Sequence, residues 1–128
     1  MLHRRNILVL GLVFGVVCPA LASAFQNYDM SRFIAAEEAN APIVLHVYAP
    51  WCTTCQAQKP ILEKLAQSSK YKDIQFFVVD FDTQKEVLKK LDVTKQSVLI
   101  VLKGKNELGR SIGDTSPSSI EKLIDKSL

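Results

Sequence analysis

One junction constrains the fold more than any other feature: a short apolar run ends at Ala49-Pro50, and two cysteines follow in a C-x-x-C pattern at Cys52 and Cys55. Residues 43–48 are rich in branched and aromatic side chains, which is typical of a buried strand. Residues 52–68 carry apolar side chains at helical spacing. The junction therefore predicts a buried strand that leads directly into a helix, with both cysteines in the first turn of that helix.

The rest of the chain alternates between helical and strand patterns. Apolar runs at residues 74–80 and 98–102 predict two further strands, and a glycine turn at 103–106 leads into a fourth strand at about 107–112. The alternation predicts an α/β fold with a central mixed four-stranded β-sheet and α-helices on both faces. A chain of 128 residues has room for one such core.

Three sites have the residue types that start helices. Asp29 or Ser31 is a candidate N-cap for a first helix, before the apolar run at 43–48. Thr83 and Glu86 have the spacing of a capping box. Ser116-Pro117 places an N-cap residue before a proline at the first helical position, so the last helix is expected to start there.

Residues 1–24 have the order of a secretory signal peptide. Arg4 and Arg5 precede an apolar run at residues 7–17, and the small-residue sequence Ala22-Ser23-Ala24 follows. The apolar run is shorter than the about 20 residues that a membrane-spanning helix needs. We therefore expect cleavage after Ala24, which leaves one domain at residues 25–128 in the periplasm. An uncleaved membrane anchor is the alternative.

Charge and cysteine content limit the classes of function that fit this sequence. The formal net charge is only +3, and the predicted signal peptide carries Arg4 and Arg5 but no acidic residue, so nothing indicates a nucleic-acid partner. Cleavage also removes Cys18 and leaves Cys52 and Cys55. A disulfide that closes so short a loop adds little stability, which favours a chemical role for the pair.

The spacing of the two cysteines suits dithiol–disulfide chemistry. Residues at i and i+3 of a helix have Cβ atoms about 5–6 Å apart, close to what a disulfide requires. The positive end of the helix dipole favours a thiolate at Cys52, and a thiolate is the attacking species in disulfide exchange. We expect an exposed Cys52 to be the nucleophile and Cys55 to be the resolving thiol that releases the product.

Two other classes of function use the same motif. A C-x-x-C pair also binds zinc or an iron–sulfur cluster, but two sulfurs need further ligands, so a dimer would have to supply them. A non-catalytic adaptor that uses the fold to bind a partner is the third possibility.

The segment Trp51-Cys52-x-x-Cys55, followed by Pro60, Phe81-Asp82 and Gly113 in that order, resembles the thioredoxin superfamily over residues 25–128. The resemblance implies the thioredoxin fold and a thiol–disulfide oxidoreductase without a cofactor or resident metal. It also implies a monomer that acts on disulfide-containing protein substrates, with a membrane or soluble thiol as electron donor or acceptor.

The pair Thr53-Thr54 between the cysteines contains neither proline nor histidine, and we expect a reducing protein. The resemblance implies a substrate-binding role for four residues, which are Trp51, Gln96, Ser97 and Gly113.

The sequence departs from this family at Ser97, where thioredoxins usually have a cis-proline. A cis peptide before a residue other than proline costs about 2.5–4 kcal/mol, so we expect the Gln96–Ser97 peptide to be trans. The backbone of both residues can still bind substrate, and the Ser97 hydroxyl can approach Cys52. A plain loop serine is the other interpretation.

A second departure is His46, where the family often has a buried acid behind the second cysteine. A histidine can accept a proton at neutral pH, so His46 is a possible proton acceptor for Cys55. The alternative is a buried neutral histidine satisfied by hydrogen bonds. Val78 stands where thioredoxin itself often has a buried lysine, so the acid and the lysine are absent together.

Overall fold

The structure is a computed structural model that describes residues 25–128. The predicted signal peptide and Cys18 lie outside the described residues, so export and cleavage stay predictions. Within residues 25–128, no helix has the length and apolar character needed to cross a membrane.

Strands and helices alternate along the chain as the sequence predicts, with one additional strand at the start. The strands are β1 (Phe25–Asn27), β2 (Pro42–Tyr48), β3 (Gln75–Asp80), β4 (Val98–Lys103) and β5 (Asn106–Ile112). The helices are α1 (Met30–Glu38), α2 (Thr53–Ala66), α3 (Lys85–Lys90) and α4 (Pro117–Ile124), with short 3-10 turns at Ser69–Tyr71 and Asp125–Ser127.

The five strands form one mixed sheet in the spatial order β1-β3-β2-β4-β5. The pairs β1–β3 and β3–β2 are parallel, and β4 is antiparallel to both β2 and β5. The prediction of four strands is wrong because it omitted β1. A segment of three residues, two of them polar, is too short to show an alternating pattern, and only its pairing with β3 reveals it.

Helices cover both faces of the sheet, as predicted. Strand β2 shows why, since its side chains alternate between the faces. Leu45 packs on the side of α1 and α3, where Phe33 and Leu88 belong to the same core cluster. Val44 packs on the opposite side, with Leu62 of α2. The sheet is therefore buried on both sides, and β2 lies in the middle of it.

The helix starts agree with the sequence at two of three sites. Asp29 is the N-cap of α1, and its Oδ1 accepts the Arg32 N–H at 3.0 Å. Ser116 is the N-cap of α4, with Pro117 in the first turn. The capping box at Thr83 is wrong, because α3 begins at Lys85 after the N-cap Gln84.

The Thr83 prediction fails because the turn that follows β3 extends through Thr83 to Gln84. The Asp80 carboxylate accepts the N–H of Thr83 at 3.2 Å, while the Gln84 side chain accepts the Asp80 N–H at 2.8 Å. These bonds close the turn after β3 and move the start of α3 past Thr83.

Candidate active site

Cys52 occupies the N-cap position of α2. Its Sγ accepts the backbone N–H of Cys55 at 3.1 Å, the bond that an oxygen of Ser, Thr, Asp or Asn usually makes at this position. The helix that follows is 14 residues long, so its unpaired N–H groups and its dipole favour negative charge on this sulfur. The local geometry therefore places the Cys52 sulfur at the positive end of α2, next to a backbone donor.

Both sulfurs are buried, although the sequence suggested an exposed nucleophile. Cys52 is only 4% exposed and Cys55 is fully buried, packed with Ala49 and flanked by Tyr48 and Phe81. The expectation of an exposed Cys52 is wrong because Ala49, Tyr48 and Phe81 pack around the pair of cysteines. Both cysteines are free thiols in this structure.

Burial makes the two thiols chemically unequal. Desolvation, together with the smaller effect of the hydrogen bond with Cys52, raises the pKa of Cys55 to about 11. The Cys55 thiol also lies 3.7 Å from the carbonyl of Val47, to which it donates. Cys55 is thus a protonated thiol at neutral pH, which fits a group that acts second.

Trp51 is the exposed aromatic residue beside the cysteines, with 58% of its surface accessible. Its Nε1–H donates to both carboxylate oxygens of Asp82, at 3.1 Å each, and its ring meets the edge of Phe81. These contacts fix the indole while leaving most of it in solvent. Asp82 is a hydrogen-bond partner of Trp51 that the sequence marked only as part of the family resemblance.

The Gln96–Ser97 peptide is trans, as predicted, since the described chain has no cis peptide bond. Ser97 has a φ of +58°, a left-handed conformation that costs a non-glycine residue about 1–2 kcal/mol. Its N–H donates to the Val47 carbonyl at 2.9 Å, and its own carbonyl accepts the Gly113 N–H at 2.9 Å. The Ser97 hydroxyl donates to the Gln96 carbonyl at 2.7 Å, so this hydroxyl belongs to the loop itself.

Gly113 lies next to Ser97 because of that backbone bond. It has a φ of +70°, and a Cβ placed there would meet no atom within 4 Å. Glycine is therefore favoured here by its backbone conformation, with open space beside it. The structure brings the predicted substrate-binding residues Ser97 and Gly113 together at the start of β4 and the end of β5.

His46 lies on the α2 side of β2 and is bonded to a residue that the sequence analysis missed. Its Nε2 is 3.0 Å from Oε1 of Gln58, which is fully buried in α2. The Gln58 Nε2 donates to the carbonyls of Ser97 at 3.1 Å and of Asp114 at 2.9 Å. Carbonyls only accept, so the amide nitrogen must face them and the amide oxygen must face the ring. His46 is therefore the donor, with its proton on Nε2.

Burial makes His46 a weak base. Desolvation lowers its pKa to about 4; the hydrogen bond to Gln58 opposes this shift, and the positive charge of Lys59 adds to it. The ring is neutral at neutral pH and hydrogen-bonded. This geometry matches the second interpretation from sequence, a satisfied neutral histidine, and a role as proton acceptor for Cys55 stays a prediction.

A signal for Gln58 was present in the sequence. The inward stripe of α2 contains Cys55, Gln58 and Leu62, and the glutamine is its one polar member. A polar side chain on an apolar helix face requires buried hydrogen-bond partners. Those partners come from loops far along the chain, so the sequence alone does not identify them.

A cavity of about 480 Å³ opens beside His46, between α2 and the β1–β3–β2 part of the sheet. Val78 lines it and is the β3 residue paired in register with His46. Lys59 and Glu63 of α2 line the opposite side. At the position where thioredoxin often has a lysine, this protein thus has the apolar side chain of Val78, in the wall of an open cavity.

Metal binding, the alternative function of the C-x-x-C pair, requires a set of ligands that residues 25–128 of one chain do not form. Among residues 25–128, no three His, Cys, Asp or Glu side chains cluster in a way that could hold a metal ion. A metal held by Cys52 and Cys55 would need ligands from a second copy.

A five-stranded sheet with a C-x-x-C pair at the start of α2 defines a thioredoxin-fold protein with a dithiol site. The thioredoxin family model matches residues 22–126. The chain therefore belongs to the thioredoxin family, and it is a thioredoxin-like thiol–disulfide oxidoreductase.

Curated relatives and solved structures agree with this assignment. The chain is 36% identical to a thioredoxin-like protein CXXS1 of Arabidopsis thaliana over 77% of this chain and 79% of the relative. It is 34% identical to an H-type thioredoxin of Brassica campestris over 76% and 77% of the two chains. The crystal structure of Trxlp from Edwardsiella tarda superposes with a TM-score of 0.76 at 37% identity, covering 78% of this chain and 97% of that one.

Proposed function

We propose that this protein is an exported, monomeric thioredoxin-like reductase that passes electrons from Cys52 and Cys55 to disulfides of protein substrates. The observation that carries the proposal is the inequality of the two sulfurs. Cys52 sits at the positive end of α2 and accepts a backbone N–H, whereas Cys55 is fully buried with a raised pKa.

The exchange proceeds in two balanced steps. The Cys52 thiolate attacks one sulfur of the substrate disulfide, forms a mixed disulfide, and releases the other substrate sulfur as a thiolate that takes up a proton. Cys55 then gives up its proton and attacks Cys52, which releases the second substrate thiolate. The substrate gains two electrons, and the protein is left with a Cys52–Cys55 disulfide. A thiol donor, soluble or membrane-bound, restores the dithiol.

The surroundings of Cys52 indicate how a protein substrate docks. Trp51 offers exposed aromatic surface beside the nucleophile. The backbone N–H and carbonyl of Ser97 are both bonded inside the protein, to Val47 and Gly113. We therefore place the pairing with an extended substrate at Gln96, whose carbonyl accepts the Ser97 hydroxyl at 2.7 Å and keeps a second lone pair for a substrate N–H.

Reduction of insulin disulfides by the purified residue 25–128 chain, with dithiothreitol as donor, tests the exchange activity. We expect turnover that disappears in a Cys52→Ser variant, and a reduction potential near thioredoxin's value of about −270 mV. A potential near about −120 mV, typical of strong periplasmic oxidants, would contradict the reducing direction. Absence of Cys52-dependent turnover would contradict the exchange itself.

Export requires a separate measurement. Mass spectrometry of the protein from a fractionated bacterial host should find a chain that starts at Phe25 in the periplasm. A full-length chain in the cytoplasm would contradict export and leave the exchange chemistry intact. Gel filtration with metal analysis of the same sample tests the monomer against a metal-linked dimer.

A further inference from the structure

Gln58 connects the segments that carry the predicted site residues. It stands one turn after Cys55 on α2, and its three hydrogen bonds reach His46 on β2, Ser97 before β4, and Asp114, which follows Gly113 after β5. The side chain is fully buried, and both polar atoms of the amide are bonded. A buried amide satisfied in this way ties its partners together, because breaking any one bond leaves a buried polar group without a partner.

The loop that Gln58 contacts is held in an unfavourable conformation. Ser97 is a serine with a positive φ, and such a residue persists only where the surroundings determine its backbone. Its N–H is held by Val47 on one side, and its carbonyl is held by both Gly113 and Gln58 on the other. The Gln58 bond is the one that ties this conformation to the cysteine helix.

His46 completes the arrangement by orienting the amide. Its Nε2–H donates to the Gln58 oxygen, which leaves the amide nitrogen to the two carbonyls. A rotated amide would place its nitrogen against the donor on the ring and its oxygen against two carbonyl oxygens. The histidine and the carbonyls thus select a single orientation for Gln58.

We propose that Gln58 is a positioning residue for protein substrates: its buried amide holds Ser97, and with it the neighbouring Gln96 backbone, at a fixed place relative to Cys52. The inference depends on the proposed exchange through Cys52 and on docking at Gln96. Loss of the amide frees the loop from α2, so a substrate that pairs with the loop loses its alignment. A small disulfide reaches Cys52 without pairing to the loop, so its reaction does not depend on this alignment.

The test compares two substrates on one Gln58→Met variant, which keeps the length of the side chain and removes its hydrogen bonds. We expect kcat/KM for insulin to fall about tenfold, while the rate with hydroxyethyl disulfide stays within twofold of the unmodified protein. Leu62→Ala is the matched control, because Leu62 is a buried residue of the same helix outside the site. It should lose stability without changing the ratio of the two rates.

A ratio for Gln58→Met that equals that of the unmodified protein or of Leu62→Ala would overturn the inference. If the unmodified protein does not reduce insulin, the proposed function fails instead, so the two failures are distinguishable. Nitrogen-15 NMR of the unmodified protein supplies an independent check that needs no variant. The arrangement requires His46 to carry its proton on Nε2, and a proton on Nδ1 would overturn the orientation of Gln58.

Discussion

The two faces of the central sheet differ in the kind of side chain they bury. On the side of α1 and α3, β2 contributes Ile43, Leu45 and Val47 to a cluster of apolar side chains. On the side of α2 and α4, the same strand buries His46 against Gln58. One strand therefore supplies ordinary core on one face and a hydrogen-bonded polar pair on the other.

This difference shows how the fold separates stability from chemistry. Apolar burial stabilises a protein roughly in proportion to area and needs no particular partner. A buried polar pair contributes little net stability, but its hydrogen bonds require a particular geometry. Such a pair therefore fixes the relative positions of the segments that it joins. We infer that the α1–α3 side mainly supports the sheet, and that the α2–α4 side also aligns the site.

The largest expected effect is at the start of α2. Cys52→Ser removes the attacking sulfur, so insulin reduction should fall at least about a thousandfold, which corresponds to about 4 kcal/mol of lost transition-state stabilisation. Thermal unfolding should change little. Cys55→Ser is the companion variant, and mass spectrometry should find it trapped as a mixed disulfide with substrate. If Cys52→Ser reduced insulin as fast as the unmodified protein, Cys52 would not be the attacking sulfur.

A truncation on the opposite face should affect stability alone. Leu45→Ala removes a fully buried side chain from the α1–α3 cluster, and we expect a loss of about 3–4 kcal/mol in the free energy of unfolding. Urea titration measures this loss, and insulin reduction per folded molecule should stay unchanged. A loss of activity comparable to that of Gln58→Met would abolish the contrast between the two faces.

The buried histidine should make stability depend on pH. The pKa of His46 is lowered by burial to about 4, from an ordinary value of 6.5. The unfolded chain therefore binds a proton below pH 6.5 that the folded chain binds only near pH 4. The free energy of unfolding should fall as pH drops through this window, by up to about 3 kcal/mol.

Urea titrations from pH 7 to pH 4 measure the effect, with His46→Asn as the reference. The variant should show a flatter profile, because its amide does not titrate. The lowered pKa values of Asp29 and Asp125 act below pH 4 and are common to both proteins. Parallel profiles would mean that His46 is protonated as easily in the folded protein as in the unfolded one.

The smallest expected effect concerns the backbone at Ser97. Its positive φ favours glycine, so Ser97→Gly should be more stable than Ser97→Ala by about 1 kcal/mol. At Ser119, the third residue of α4, the same pair should show the opposite order by up to about 1 kcal/mol, since glycine is less favourable than alanine in a helix. Thermal unfolding of the four variants is sufficient. The same order at both sites would argue against a strained loop at Ser97.

The sequence predicted the parts of the fold that depend on local pattern. Residues 43–48 and 98–102 are apolar enough to be recognised as strands, and Asp29 and Ser116-Pro117 mark helix starts. The capping box at Thr83 failed because the Asp80 carboxylate closes the preceding turn. Strand β1 was missed because it is defined by pairing with β3, about 50 positions away in the chain.

The site shows the same limit. Cys52, Cys55 and Trp51 were found because they lie within five residues of one another and form a motif. Gln58 was missed because its hydrogen-bond partners lie on loops that only the folded sheet brings to α2. The burial of Cys52 depends equally on tertiary packing, which the spacing of the cysteines does not reveal.

The central claim is that the two sulfurs are unequal, and site-resolved alkylation of the reduced protein tests it most directly. Mass spectrometry after brief exposure to iodoacetamide at pH 7 measures the rate at each cysteine. The account predicts that Cys52 reacts at least about tenfold faster than Cys55, whose pKa is raised to about 11. Equal rates at the two sulfurs, or faster reaction at Cys55, would contradict the account.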